Sequence, residues 1–304
     1  MGFVGLSQVD REFVLRRCRF FQDVQLWPLL EELDPKRWLS NFLDSEMDHA
    51  IHLLNAFMYF RQPLMDQLMR AAFQALSQLE TWPSKPPFPS RIAWRSFLDN
   101  VLITRVTGED PSDTDSGFRF QRMARQVLGI PENRILPPEK ILRSIVRQGP
   151  RSVVFVDDFV GSGNQFRMTW ERQYALRPSL SLSFQNLASI MPDNQFFYCP
   201  LICTEFGRQE LSRSCPEAVI CPAHFLPPQY SALVPDSIVW PEYLKDSAYA
   251  FLKQASARAG IPDTEWQGIG HLGLVLAFEH CVPDATLKII YWNENGWKPL
   301  IERT

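Results

Sequence analysis

One stretch constrains this chain more than any other: RSVVFVDDFVGSGNQF, Arg151 to Phe166. A continuous β-branched run predicts a strand buried on both faces, the pattern of a parallel sheet covered by helices. The run passes directly into Asp157 and Asp158 and then into a Gly-Ser-Gly turn. Ligands of parallel sheets bind off the carboxyl ends of the strands, so the two carboxylates stand where chemistry is done. Gly161 and Gly163 admit positive φ and close backbone approach, which lets consecutive N–H groups curl around an anion. Asn164 and Gln165 open the next helix, whose positive end adds to the same site. Carboxylates are poor phosphate ligands but good acceptors for vicinal ribose hydroxyls. One segment thus offers a phosphate cradle and a ribose clamp.

Rival sites share the strand-plus-acid feature. A Walker-type NTPase needs G-x-x-x-x-G-K-[ST], which this chain lacks. A dinucleotide site needs G-x-G-x-x-G at the turn, whereas GSGNQF has no third glycine and its acids precede the loop. A plain strand-to-helix turn with two capping aspartates is the remaining reading. Two adjacent acids at the end of a buried strand are costly to hold unless paired or used.

Strand and helix signals alternate on both sides of this segment, which predicts an α/β fold with a mostly parallel sheet. Strands are expected at Val101–Val106, and in FFYCPLICT, AVICPAHF, GLVLAF and ATLKIIYW. The first eighty residues read as helix instead. Ile51, Leu54 and Met58 recur at helical spacing, as do Met65, Leu68, Met69, Ala72, Phe73 and Leu76, with a further helix near Lys36–Leu43. Such helices form either a bundle that packs on the larger domain or a DNA-binding helix-turn-helix. TWPSKPPFPS, with four prolines in ten residues, predicts the boundary between a helical domain at 1–88 and an α/β domain at 89–304.

Net charge is −3 and there is no Lys/Arg block, so sequence-independent nucleic-acid binding gains no support from charge. No stretch approaches the roughly 18 apolar residues of a membrane span. The N-terminus has no signal-peptide pattern, and the six cysteines show no framework spacing, so a reducing cytoplasm is expected. Cys199, Cys203, Cys215, Cys221 and His224 invite a zinc reading, but Cys199 and Cys203 sit on an apolar strand. Buried free thiols and no protein zinc site are expected.

The string VVFVDDFVGSG resembles the signature of type I phosphoribosyltransferases. The resemblance implies that Asp157 and Asp158 hold the ribose hydroxyls of phosphoribosyl pyrophosphate. It makes Val160, Gly161, Ser162, Gly163, Asn164 and Gln165 the 5′-phosphate loop. That loop is usually rich in Thr; here Ser162 is its only hydroxyl, which leaves open phosphoribosyl pyrophosphate or another ribose phosphate. The order TGEDPSDTDSG, VVFVDDFVGSGNQF, CTEFG and FEHCVPDATLKIIYW is similar to the phosphoribosyltransferase-like conflict effectors of bacterial anti-phage systems. That family often carries an N-terminal winged helix, and some members accompany retrons.

The resemblance extends to weaker positions. The loop Thr107–Gly117 stands where the pyrophosphate loop belongs, with Ser116, Gly117 and Arg122 as its candidates; an acidic surface turn capped by Ser116 is the alternative. Phe278, Glu279 and His280 stand where a base pocket belongs. The expected cofactor is Mg2+, held through the ligand. The expected activity is transfer or cleavage at the anomeric carbon. A repressor that senses phosphoribosyl pyrophosphate and an inactive assembly subunit are the alternatives. Expected partners are a ribose-phosphate molecule, a reverse transcriptase with its nucleic acid or another defence subunit, and DNA through the helical domain.

Overall fold

The computed structural model describes residues 10–79, 87–107 and 116–303. Helices α1 (Arg11–Asp23), α2 (Pro35–Leu39) and α3 (Met47–Ala56) precede strand β1 (Met58–Phe60). Next come α4 (Gln62–Ala75), α5 (Pro87–Asn100), β2 (Leu102–Arg105), α6 (Ser116–Leu128), α7 (Pro138–Gln148) and β3 (Ser152–Val160). They are followed by α8 (Asn164–Glu171), a hairpin of β4 (Tyr174–Arg177) and β5 (Leu180–Leu182), α9 (Phe184–Ile190) and β6 (Gln195–Thr204). The chain continues through α10 (Glu205–Ser214), β7 (Ala218–Ile220), β8 (His224–Leu226), α11 (Glu242–Arg258) and β9 (Leu276–Phe278).

Two compact units emerge: Pro63–Leu226, and Met1–Gln62 together with Pro227–Thr304. The second is discontinuous, unlike the division expected near residue 88. Its reason lies in one apolar core that takes Trp38, Leu39 and Leu53 from the N-terminal helices and Phe251, Leu287 and Ile289 from the C-terminal segment. The Trp38 indole donates to the Ile289 carbonyl at 2.8 Å. The N-terminal helices therefore complete a core begun at the other end of the chain, and they are not a free-standing module.

The helix pair expected at 51–79 is interrupted as well. Met58–Phe60 is a strand, in parallel register with Leu276–Phe278, and α3 and α4 fall largely in different units. ATLKIIYW is no strand either: Lys288–Ile290 forms a 3-10 turn. The Ile289 carbonyl is taken by the indoles of Trp38 and Trp297 at 2.8 and 3.0 Å, and the Ile290 carbonyl by the Leu300 amide at 2.8 Å. Side-chain donors and a turn satisfy these buried groups, so no ladder is needed.

In the unit Pro63–Leu226 a parallel sheet runs β2-β3-β6-β7, with β8 pairing β6 beyond the end of β7. The strands expected at Val101–Val106 and in FFYCPLICT are present, and AVICPAHF is split into β7 and β8. That split explains a proline in the long central strand. Pro200 lies opposite the gap, where its carbonyl accepts the Ala223 amide at 3.2 Å and no strand asks for its missing N–H.

Candidate functional site

Strand β3 lies between β2 and β6, paired to β6 from Ser152↔Gln195 to Val160↔Cys203. Asp157 and Asp158 close the buried run of β3, with their carboxyls beside each other. Both are buried. Asp157 shares its face with Phe155, which packs against Phe166, Trp170 and Phe184. There the Asp157 Oδ2 accepts the Tyr198 hydroxyl at 2.8 Å, and its Oδ1 accepts the Asp158 amide at 3.0 Å. The Asp158 Oδ1 accepts the Phe159 amide at 2.8 Å.

Burial and the neighbouring Asp158 charge hold the Asp157 carboxyl well above the usual carboxylate range. Burial and the Asp157 charge likewise push the Tyr198 hydroxyl up. A raised folded-state value means that the protein favours protonated Asp157. Its contribution to stability is then full below the unfolded value, near about 3.9, and lost as pH rises through the folded value. Asp157→Asn mimics the protonated acid, its Oδ1 accepting the Asp158 amide while its Nδ2 donates to the Tyr198 oxygen, and it removes this dependence. The variant is expected to be at least as stable as the native chain at pH 7, with the difference shrinking towards pH 4. Thermal melts of both proteins across that range check it.

The Tyr198 ring stacks on Phe166 with centroids 4.1 Å apart and an angle of 11°. Phe166 is in the first turn of α8, so one line of contacts joins the acid pair to the loop that follows it. Gly163 caps α8 at φ 80°, and a Cβ there would lie 2.7 Å from Leu211 Cγ. A non-glycine residue would meet both a rare backbone conformation and a filled space. The first amides of a helix have no partner inside it. Those of Gln165 and Phe166 meet no other acceptor among the described residues. Together with the helix dipole they form an anion-binding end.

The loop is braced from β6. The Thr204 hydroxyl donates to the Gly161 carbonyl at 2.6 Å and accepts the Gly207 amide at 2.9 Å, capping α10 as it does so. Gly207 lies so close to the loop that a Cβ would come within 2.5 Å of the Gly161 carbonyl oxygen. Tyr198, Thr204 and Gly207 were not among the expected site residues. The legible signal was Thr204, a hydroxyl at the end of an apolar strand with glycine three residues on, the pattern of a helix cap.

Thr107, at the end of β2, is tied to the same region. Its amide donates to Thr169 Oγ1 at 3.0 Å and its hydroxyl accepts from Arg172 at 2.8 Å. The loop beyond it, residues 108–115, lies outside the described residues. Ser116 and Gly117 begin α6, with their side chains also outside the description, and Arg122 is exposed on that helix.

Phe278, Glu279 and His280 belong to the other compact unit from Asp157–Gln165. Phe278 is buried and stacked on Phe60 at 5.0 Å. Glu279 accepts the Gln62 amide at 2.7 Å and pairs with Arg61 at 3.8 Å. Those contacts give the first two residues structural work. The cysteines are free; Cys203 is pushed up to about 12 and Cys215 to about 11 by burial. Among the described residues, no three of Cys199, Cys203, Cys215, Cys221 and His224 come within ligating reach of one another. No described helix is long and apolar enough to cross a membrane.

Neither a curated protein nor a solved structure matched the chain. A family model did, across residues 35–303, which reaches into both compact units and takes in the whole acid-pair segment. The chain therefore belongs to PRTase-CE, the phosphoribosyltransferase conflict effectors.

Proposed function

We propose that the chain binds a ribose-phosphate ligand, either phosphoribosyl pyrophosphate or a nucleotide, and transfers or cleaves at its anomeric carbon as an effector of bacterial anti-phage defence. The observation that carries this reading is the braced loop Gly161–Asn164. It opens onto the unpartnered amides of Gln165 and Phe166 directly after the acid pair on the same strand. Cleavage at an anomeric carbon passes through an oxocarbenium-like state, so positioning and electrostatics supply most of the rate. In this reading the α8 end anchors the terminal phosphate and Asp158 orients the ribose hydroxyls. Asp157, held by Tyr198, fixes the strand end.

The residues fit Mg2+ that arrives on its ligand. Asp157 is engaged by Tyr198, so Asp158 is the carboxylate offered to a ligand-borne ion in this reading. Mg2+ is commonly held by one or two carboxylates together with phosphate oxygens and water, and Asp158 would be its protein ligand here. When bound, the ion would neutralise charge on a leaving phosphate.

Titration with phosphoribosyl pyrophosphate, NAD and ATP, each with Mg2+, tests the proposal. Asp157→Asn with Asp158→Asn is expected to weaken binding of the active ligand about 100-fold or more, since charge-assisted hydrogen bonds contribute about 1.5–3 kcal/mol each. The folded state should survive. Undiminished binding and turnover in the double variant would sink the enzymatic reading. The engagement of Asp157 with Tyr198 favours one alternative, an inactive subunit of a retron-type assembly with a reverse transcriptase. Silence with all three ligands, and co-purification of a partner, would be its signature.

A further inference from the structure

The unit Met1–Gln62 with Pro227–Thr304 holds a cavity of about 410 Å³ between the end of α3, the segment Tyr230–Tyr243 and Val275. We infer that this cavity binds a nucleobase, free or as its nucleoside, at a site separate from the acid pair and its loop.

The lining decides the class of ligand. No Asp, Glu, Lys or Arg faces the cavity among the described residues, so nothing there would hold a phosphate or offset a charged group. Val239 and Val275 supply apolar surface, while Tyr230, Trp240, Tyr243 and His52 supply rings. Small-molecule sites are commonly of this kind, about 300–1,000 Å³, mostly apolar and aromatic with a few convergent polar groups.

Those polar groups are present and available. The Asn55 side-chain amide lines the cavity and makes no hydrogen bond among the described residues. Its backbone carbonyl is fixed by Arg17 at 2.7 Å, so the last turn of α3 is held in place. A free carboxamide offers a donor and an acceptor side by side, which matches the paired edge groups of a base. The Tyr230 hydroxyl is likewise unpartnered. His52 is 7% exposed, and its only hydrogen bond is a long one, 3.3 Å from Nε2 to the Tyr243 hydroxyl. Burial lowers its pKa, so at neutral pH the ring is uncharged and offers both a donor and an acceptor. Flat ring surfaces and an uncharged donor–acceptor edge fit a planar heterocycle better than an aliphatic ligand.

Calorimetry on the full chain with adenine, guanine, uracil and adenosine tests the inference, and AMP serves as the charged arm. At least one base or nucleoside is expected to bind, and AMP should compete for the bound base no better than adenosine does. Asn55→Leu should weaken that binding about tenfold or more with an unchanged melting temperature. Tyr230→Ala, which breaks no hydrogen bond, provides a second variant with the same expected direction. The double aspartate variant should bind the base as the native chain does. Absence of binding at millimolar base, or native affinity in both the Asn55 and Tyr230 variants, would overturn the proposal. So would loss of base binding in the double aspartate variant, which would assign the base to the acid-pair site instead.

Discussion

Gly207→Ala is expected to lower stability by about 1–3 kcal/mol and to reduce phosphate-ligand binding at least tenfold, although alanine is the better helix former. The intrinsic gain from glycine to alanine in a helix is about 0.8–1.0 kcal/mol. Against it stands a Cβ placed 2.5 Å from the Gly161 carbonyl oxygen and 2.8 Å from Val160 Cγ1. The first neighbour is backbone and cannot turn away as a side-chain tip would. Overpacking of this kind costs about 1–3 kcal/mol and forces backbone to move. The backbone that moves is the loop held by the Thr204 hydroxyl, so the damage reaches the anion-binding end of α8. Denaturant melts and titration with ribose 5-phosphate measure the two effects. A stabilised variant with native ligand affinity would show that the brace between α10 and the loop is dispensable.

Trp38→Ala is expected to cost about 3–5 kcal/mol, the range for removing a fully buried large aromatic. Trp38 has no exposed surface, and its ring meets Phe42 edge-on at 4.7 Å. It also ties residue 38 to residue 289 through its indole hydrogen bond. Loss should therefore be shared by both ends of the chain: amides in Met47–Ala56 and in Glu242–Arg258 are expected to lose hydrogen-exchange protection together. Trp38→Phe should cost less, about 1–2 kcal/mol, because the Ile289 carbonyl keeps its bond from Trp297. Independent behaviour of the two helices in exchange experiments would contradict a single shared core.

The discontinuous unit accounts for the expectations about the N-terminus that did not hold. Ile51, Leu54, Met65 and Leu68 signalled helices, and helices they are. Helical periodicity says which face is apolar but not what covers it. Here part of the cover for α3 comes from residues more than 180 positions away. Met58–Phe60 was lost for a similar reason. A three-residue strand has no period to read, and its partner, Leu276–Phe278, lies at the far end of the sequence.

The acid-pair segment stands differently. A β-branched run, two acids and Gly-Ser-Gly determine by themselves a buried parallel strand, a sharp turn and a helix start, because each follows from local sterics and burial. Local chemistry could not say that Asp157 and Asp158 have different circumstances. The alternation of side chains puts Asp157 against Tyr198, 41 residues on along the neighbouring strand, and burial there favours its protonated form. Nor could it say what holds the loop. Thr204 and Gly207 reach Gly161 only because β3 and β6 are paired in register, and that pairing is a property of the sheet.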